Sequence, residues 1–431
     1  MSYADNGFAE NSADSGFRSV LKNILSAPSV NAVSTGADKV RYKTFEKLAF
    51  QFRIENPLHR IVANNVFTLS LPVAVARFVW MISGNNRLAD IAFYEPRVAS
   101  FTDDGVIVPG SSYGARIRQA HPGIDQLKGV IDRLKADPNS RRAAISIYQP
   151  TDTTRESSDI PCAFGLFFHI REEKLHTQII MRSNNAAVLL PFNIFEFSML
   201  AEVVAAECGV AMAPLSHYAA SMHIYENAEE FTNRIVVEGG ATRSDPMIPM
   251  PNNPKPLDEV LRLVQYEASM RHRSEAIDDS ALQDEIDQIQ EMFSPYWQQF
   301  AFLLLATVVN RNCSRYGVEL LSSALDPRFA KLMRWSDATD KNAQDVSSDL
   351  PLLDVLQRSD NIVMFHNTLA GTSFKQRAMS HEAKTGERLS AAELLEVQER
   401  VVSRLAARGL NAELSQADFD MHLADVRRQH E

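Results

Sequence analysis

Three short apolar runs followed by one long apolar run restrict the fold of this chain. The short runs are bounded by polar turn segments and are Ala143–Tyr148, Phe164–Ile170 and Leu175–Met181. Their length and their β-branched and aromatic content predict strands. The run Asn193–Cys208 is too long for a typical strand and is followed by Gly209, so we predict a buried helix there. Strands that alternate with helices predict an α/β layer structure.

Composition along the chain predicts four segments. Residues 1–35 are rich in Ser, Asn, Ala and Gly, and we predict a mobile N-terminal tail. Residues 36–243 alternate strand-like and helix-like runs and form the α/β domain. Residues 244–256 contain five prolines, which predicts an extended connector. Residues 257–431 are predicted to be mainly helical, with candidate helices at Leu257–Arg273, Ala281–Phe293 and Tyr296–Asn312, and with cap signals at Ser390 and Gly409.

Charge and cysteine content exclude several classes of protein. Lys and Arg total 44 against 54 Asp and Glu, so the net charge of −10 argues against a general binder of nucleic acid or membrane surfaces. Three scattered cysteines without a CxxC pair predict no cysteine-based metal site and favour a reducing compartment. We find no signal-peptide pattern and no apolar run long enough to span a bilayer. We therefore expect a cytoplasmic protein without a metal.

Two short stretches are candidates for chemistry. Cys162 follows Pro161 at the edge of a predicted strand, where a thiol whose pKa is lowered by nearby cations acts as a nucleophile. The alternative is a small core residue, which is the usual role of an isolated cysteine. Arg141 and Arg142 precede another strand, and paired arginines hold phosphate through several hydrogen bonds. The alternative for them is a solvated surface pair.

Further along the chain, polar residues with hydrogen-bonding side chains occur in two groups. Arg182 and Ser183 together suit phosphate oxygens. Asn193 offers an amide to a polar ring edge, or else caps the helix. His223 and Tyr225 are two positions apart, so in an extended segment both face one side and reach a sugar hydroxyl, or else are satisfied locally.

The order and spacing of these motifs resemble thymidylate synthase, over a little under half of the chain. A Ser-Arg-Arg loop at 140–142, a Pro-Cys, an Arg-Ser, a Pro-Phe-Asn that ends eleven residues after Arg182, and a His-x-Tyr follow one another as in that family. Tyr113-Gly114 also matches. The stretch 78–84 resembles the family's tryptophan-containing helix that ends in glycine.

The resemblance implies a fold and a reaction. The fold is a large mixed twisted sheet flanked by helices, here with a helical C-terminal extension. The reaction is methyl or hydroxymethyl transfer from 5,10-methylenetetrahydrofolate to C5 of a pyrimidine nucleoside monophosphate. Cys162 would attack C6 of the base, which is covalent catalysis by a thiolate.

The resemblance also assigns roles residue by residue. Arg182 and Ser183 would hold the 5′-phosphate, Asn193 would read the O4 and N3–H of uracil, and His223 with Tyr225 would bind the sugar 3′-hydroxyl. Tyr113 would lie beside the ring, and Trp80 and Asn185 would face the folate. Arg141 and Arg142 would reach the phosphate of the partner subunit, which implies a homodimer. The cations would lower the pKa of Cys162. A fourth phosphate cation would be one of Lys39, Arg41 and Lys43.

Several positions depart from the family. Arg77 replaces a glutamate that handles protons at the base, and an arginine is no base at neutral pH. Ala163 replaces the histidine after the nucleophile. Asn185, Leu189 and Tyr94 replace an aspartate, a glycine and a tryptophan on the folate side.

The departures leave three hypotheses open. The first is C5 modification of a uracil nucleotide such as dUMP. The second is a diverged enzyme that activates C5 without folate. The third is a nucleotide-binding sensor or scaffold without catalysis.

Overall fold

The computed structural model describes residues 7–34, 41–120 and 123–335, together with a few C-terminal positions: 397, 420, 421, 423, 424, 427 and 428. The cap signals predicted at Ser390 and Gly409 and the phosphate candidate Lys39 lie outside the described residues.

One mixed sheet of eight strands organises the described chain. The strands are β1 Phe8–Glu10, β2 Ser29–Ser34, β3 Arg41–Ile54, β4 Ala144–Ser146, β5 Ala163–Arg171, β6 Lys174–Met181, β7 Asn184–Asn185 and β8 Ala211–Tyr225. Their order is β1-β3-β8-β6-β5-β4, with β2 beside β3 and β7 beside β8. β1 runs parallel to β3, and both β6 and β7 run parallel to β8, while the other pairs are antiparallel. The predicted mixed sheet is confirmed.

Helices surround this sheet and dominate the region after residue 256. They are α1 Ala13–Leu25, α2 Leu71–Ser83, α3 Leu88–Ala92, α4 Tyr113–Arg118, α5 Gln126–Ala136, α6 Leu190–Glu207, α7 Glu229–Glu238, α8 Pro256–His272, α9 Leu282–Met292, α10 Pro295–Asn312, α11 Arg315–Ala324 and α12 Pro327–Ala330. Short 3-10 turns occupy Pro96–Phe101, Pro150–Thr153, Glu226–Ala228 and Ser274–Ala276. None of the helices in the described residues is long and apolar enough to cross a membrane.

The prediction of a mobile tail over residues 1–35 is wrong for residues 7–34. This segment supplies β1, α1 and β2, and α1 is capped by Ser12. The residues Phe17, Val20, Leu21 and Ile24 are fully buried in the core. Their spacing puts them on one face of the helix, and burial of that face ties the segment to the sheet.

The long helix α6 begins three residues earlier than predicted. It starts at Leu190 because Pro191 in the first turn needs no hydrogen bond from its missing N–H. Asn193 therefore lies inside the first turn, so the alternative that Asn193 caps the helix is wrong.

The helical region packs directly against the sheet domain. α8 and α10 both contact α2, which ends at Gly84 in the left-handed conformation (φ 74°). Residues 244–255 form neither helix nor strand, but Met247 and Met250 are buried in the common core. α2 thus contacts α6, which packs on β6 and β8 of the sheet, as well as α8 and α10 of the helical region.

Candidate active site

The sheet register places the candidate nucleophile beside the candidate phosphate ligand. Cys162 precedes β5 and Arg182 follows β6, and the antiparallel pairing of these strands sets Ala163 opposite Met181. The backbone N–H of Arg182 donates to the carbonyl of Cys162 at 2.8 Å. Two motifs that are twenty residues apart in sequence are therefore direct neighbours.

The guanidinium of Arg182 is braced by the segment that carries the thiol. Its Nε donates to the carbonyl of Pro161 and its Nη2 to the carbonyl of Ile160, both at 2.8 Å. The side chain is otherwise exposed. A cation that is fixed by backbone carbonyls and open to solvent is pre-organised for an anion.

The sugar candidates join the same edge through the short strand β7. Its parallel pairing with β8 sets Asn185 opposite His223. The Oγ of Ser183 lies 3.5 Å from Nδ1 of His223, and the rings of His223 and Tyr225 meet edge to face at 5.1 Å. The structure thus brings together Cys162 and the predicted phosphate and sugar ligands of the same chain.

In the single chain the pKa of Cys162 is not lowered overall, although Arg182 acts in the predicted direction. Burial raises the pKa of this thiol, Arg182 opposes that effect, and the carboxylate of Asp159 adds to it. A thiol that is partly withdrawn from water loses hydration that stabilises its anion, and the single exposed guanidinium of Arg182 does not compensate for this.

Burial keeps two further candidates uncharged. It lowers the pKa of His223 to about 4, so the ring is a neutral hydrogen-bonding group at neutral pH. Burial, with Cys162 and Glu196 nearby, raises the pKa of Tyr113 well above its ordinary value, so its hydroxyl keeps its proton.

Asp159 is a residue that the sequence reasoning missed. Its carboxylate accepts hydrogen bonds from the N–H of Gly110 at 2.7 Å and from the N–H and hydroxyl of Ser111 at 2.6 Å. It therefore ties the segment before Cys162 to the loop that leads into α4 and Tyr113. Burial raises the pKa of Asp159 despite these donors.

The base-reading candidate Asn193 is held in a buried chain of polar side chains. Its Nδ2 donates to Oε1 of Glu196 at 2.7 Å, and its Oδ1 accepts from Nδ2 of Asn184 at 2.9 Å. The Oδ1 of Asn184 in turn lies 2.9 Å from Nε2 of His217. None of these four side chains is more than 4% exposed. Each end of the Asn193 amide keeps one hydrogen-bonding position for a ligand.

Arg77 of helix α2 lies at one end of this row of buried polar side chains, next to Glu196. Its Nε lies 3.4 Å from Oε2 of Glu196, and its Nη1 donates to Oε2 of Glu95 at 3.0 Å. Burial opposes the charge, but Glu196 and Glu95 outweigh it, so the pKa of Arg77 is raised above its ordinary value. Arg77 is a permanent cation here, and two carboxylates balance it.

The residues that the resemblance assigns to folate are engaged with the protein itself. Trp80 is buried and donates its indole N–H to Asn85 at 2.8 Å. The Oδ1 of Asn185 accepts the backbone N–H groups of Ala187 and Val188 at 3.0 and 3.3 Å. Tyr94 is buried, and its hydroxyl donates to Glu267 of α8 at 3.1 Å. These residues do not form a site that fits the pterin of a folate.

The paired arginines lie far from the thiol of their own chain. The carbonyl of Ala143 accepts from the N–H of Phe168, which is six residues along β5 from Cys162. At the rise of a strand this is about 20 Å. Arg141 and Arg142 are exposed, and we find no side-chain hydrogen bond or ion pair from either guanidinium to a described residue.

The fourth phosphate cation stays undecided. Lys43 is exposed, and its ammonium lies 3.9 Å from Glu226. The side chain of Arg41 is not among those described. Within the described ranges, no group of three or more His, Cys, Asp or Glu side chains is arranged to hold a metal ion.

Known proteins resemble this chain over part of its length. A family model for thymidylate synthase matches residues 16–261. A deoxyuridylate hydroxymethyltransferase of Bacillus phage SP01 is 27% identical over 197 residues, 43% of this chain and 51% of that protein. A putative thymidylate synthase of Methanosarcina mazei is 31% identical over 34% of this chain and 70% of its own length. A thymidylate synthase of Fusobacterium nucleatum is 29% identical over 48% of this chain and 74% of its own length. The chain spans about half the length of the phage relative.

Proposed function

Because this chain belongs to the thymidylate synthase family, we propose that it is a transferase that modifies C5 of a uracil nucleotide such as dUMP by methyl or hydroxymethyl transfer, through a covalent adduct of Cys162. One observation carries the proposal. A thiol, a braced guanidinium, a serine hydroxyl and a neutral histidine from three separate stretches meet at one sheet edge. That set of groups suits a nucleoside monophosphate.

The covalent step begins with the thiolate of Cys162. Its sulfur bonds to C6 of the base, and the electron pair of the C5=C6 bond moves towards O4, which makes C5 a carbon nucleophile. C5 would then attack a one-carbon electrophile and lose its proton to a base. The bond from the transferred carbon to its donor would break, and that carbon would take up water for a hydroxymethyl product or a hydride from the reduced donor for a methyl product. Expulsion of the thiolate restores the C5=C6 bond and frees Cys162.

The surroundings of each candidate binding residue suit the role that we propose for it. Arg182 and Ser183 hold the phosphate through charge-assisted hydrogen bonds. His223, neutral because burial lowers its pKa to about 4, and Tyr225 hold the sugar 3′-hydroxyl. Asn193 offers one donor and one acceptor, which matches the O4 and N3–H of uracil. Tyr113 lies beside the ring with its hydroxyl protonated.

The one-carbon donor used in the family is methylenetetrahydrofolate, which supplies the electrophile for C5. Trp80 and Tyr94 are buried, and the carbonyl of Asn185 is occupied by backbone N–H groups. The side chains that would face folate are thus engaged with the protein itself. This observation favours a second candidate function, C5 activation by Cys162 without folate.

We also propose that the active unit is a homodimer. Arg141 and Arg142 lie about 20 Å along the sheet from the thiol of their own chain, so they reach a phosphate only in a second copy. On β5 the side chains of Phe164 and Phe167 are 48% and 43% exposed, which leaves apolar surface for that copy to cover. Mixing Cys162→Ala with the double variant Arg141→Ala/Arg142→Ala should restore activity that neither has alone. If the mixture stays inactive while each variant binds nucleotide, the shared site is wrong.

Release of tritium from C5-labelled nucleotide tests the proposed reaction. The substrates are dUMP, UMP and dCMP, with and without methylenetetrahydrofolate, and Cys162→Ala is the control. Folate-dependent release from dUMP that is lost in the control supports one-carbon transfer. Release without folate supports the second candidate. If nucleotide binds and no tritium is released, the transferase proposal fails and a sensor or scaffold role replaces it.

A further inference from the structure

Among the four buried side chains that are hydrogen-bonded in a row at Asn193, which are Glu196, Asn193, Asn184 and His217, only the carboxylate of Glu196 hydrogen-bonds in one sense. An ionised carboxylate only accepts hydrogen bonds, whereas an amide presents either its oxygen or its nitrogen after a half-turn. Nε of Arg77 lies 3.4 Å from Oε2 of Glu196, so the carboxylate is paired with a buried cation on that side. The other oxygen of Glu196 faces Asn193 at 2.7 Å.

The carboxylate of Glu196 determines the orientation of the two amides next in the row, those of Asn193 and Asn184. Because Glu196 accepts, Asn193 must turn its Nδ2 towards it and its Oδ1 towards Asn184. Asn184 must then present Nδ2 to Asn193 and Oδ1 to Nε2 of His217. Burial lowers the pKa of His217 to about 3, so the ring is neutral and exists as either tautomer. If Glu196 is left aside, the amides of Asn193 and Asn184 could both be turned by half a turn, with His217 as its other tautomer, and every hydrogen bond among these three side chains would still form.

We propose that Glu196 and Arg77 fix the amide of Asn193 in one orientation and thereby make the site select a 4-oxo pyrimidine over a 4-amino pyrimidine. This inference rests on the proposed function, because it takes Asn193 to read the base. Uracil presents an acceptor at position 4 beside a donor at N3, and cytosine presents the reverse. A reversed amide at 193 therefore suits cytosine, and a fixed amide excludes it.

The substitution Glu196→Gln should reverse the orientation of the Asn193 amide while leaving the side chain at position 196 about the same size. Arg77 only donates, so the introduced amide turns its oxygen to Arg77 and its nitrogen to Asn193. Asn193 must then present its Oδ1 to that nitrogen, and the donor and acceptor that face the base exchange places. Glu196 is therefore a positioning residue, and its loss should change the choice of base more than the turnover of a bound nucleotide.

The experiment measures dissociation constants of dUMP and dCMP by calorimetry for the full chain and its variants. In Glu196→Gln the preference for dUMP over dCMP should fall by about 10- to 100-fold, since mismatched buried hydrogen bonds are costly. Glu202→Gln is the matched control, because Glu202 is buried on the same helix and paired with Arg60 at 2.6 Å. That control should keep the native preference.

A second variant decides the matter if Glu196→Gln does not fold. In Asn193→Asp two carboxyl groups face each other beside the base, so one must hold a proton, and little gain in dCMP affinity is expected. If Asn193→Asp instead gives full preference for dCMP, Glu196 does not control the amide. An unchanged preference in Glu196→Gln, or an equal change in Glu202→Gln, also overturns the proposal. Failure of the native chain to bind either nucleotide counts against the proposed function instead.

Discussion

The phosphate side and the base side of the candidate site are built in different ways. On the phosphate side, Arg182 is exposed and braced by two backbone carbonyls of its own neighbourhood. On the base side, Asn193 is fully buried, and its amide is held by Glu196 and Asn184. The departure from the family at Arg77 lies on the base side, where the buried carboxylates of Glu95 and Glu196 balance its charge. A binding residue at the surface is positioned by the backbone of one neighbouring segment, whereas a buried binding residue is positioned by side chains from several helices and strands.

The largest expected effect is on stability, through Arg77. In Arg77→Met the buried carboxylates of Glu95 and Glu196 lose their shared cation, which should cost about 3–5 kcal/mol of the free energy of unfolding. Denaturant titration of the variant and the native protein measures this difference. A change below 1 kcal/mol would mean that the base side needs no internal charge balance.

The same substitution on the phosphate side should affect binding instead. In Arg182→Met the affinity for dUMP should fall by about 10- to 100-fold, because a hydrogen-bonded charge on the phosphate is lost. The unfolding free energy should change little, since the Arg182 side chain is exposed. The ratio of dUMP to dCMP affinity should equal that of the native protein. Calorimetric titration with each nucleotide measures the affinities, and denaturant titration measures the unfolding free energy. A changed ratio would show that the two sides are not independent.

The difference between the phosphate side and the base side also explains which site residues the sequence predicted and which it did not. Cys162, Arg182, Ser183 and His223 lie in short motifs whose spacing is visible. The strands β5 and β6 beside Cys162 and Arg182 were predicted to within one residue at each end, whereas β8, which carries His223, was expected only as an extended segment. Glu196 was missed, although its position three residues after Asn193 puts both on one face of a helix. A buried arginine such as Arg77 in an apolar helix signals a carboxylate partner, but the sequence does not say which one.

The N-terminal segment was mispredicted for a related reason. Its composition resembles a tail, yet Phe17, Val20, Leu21 and Ile24 have helical spacing and Ser12 caps the helix. Periodicity was the better signal there. Contacts between distant segments, such as the hydrogen bond of Tyr94 with Glu267, depend on how the helical region packs, and no local pattern encodes that.

A smaller effect is expected where the helical region touches the base side. In Tyr94→Phe the hydrogen bond to Glu267 is lost while Arg271 still pairs with Glu267 at 2.7 Å, so the protein should lose about 1 kcal/mol. Thermal unfolding measures the loss. Nucleotide affinity should be unchanged, because Glu95 and not Tyr94 contacts Arg77. A large loss of affinity would mean that the helical region acts on the site through this segment.

The smallest expected effect concerns Asp159, which joins the two sides by linking the Cys162 segment to the loop before Tyr113. Burial raises the pKa of Cys162 and the charge of Asp159 raises it further, so Asp159→Asn should lower that pKa. More of the thiol is then ionised at pH 7, and alkylation of Cys162 by iodoacetamide should be about two- to fivefold faster. The rates of the two proteins should converge as the pH rises above both pKa values. If the variant is slower at every pH, Asp159 acts by holding the thiol in place, and the link between the two sides is geometric and not electrostatic.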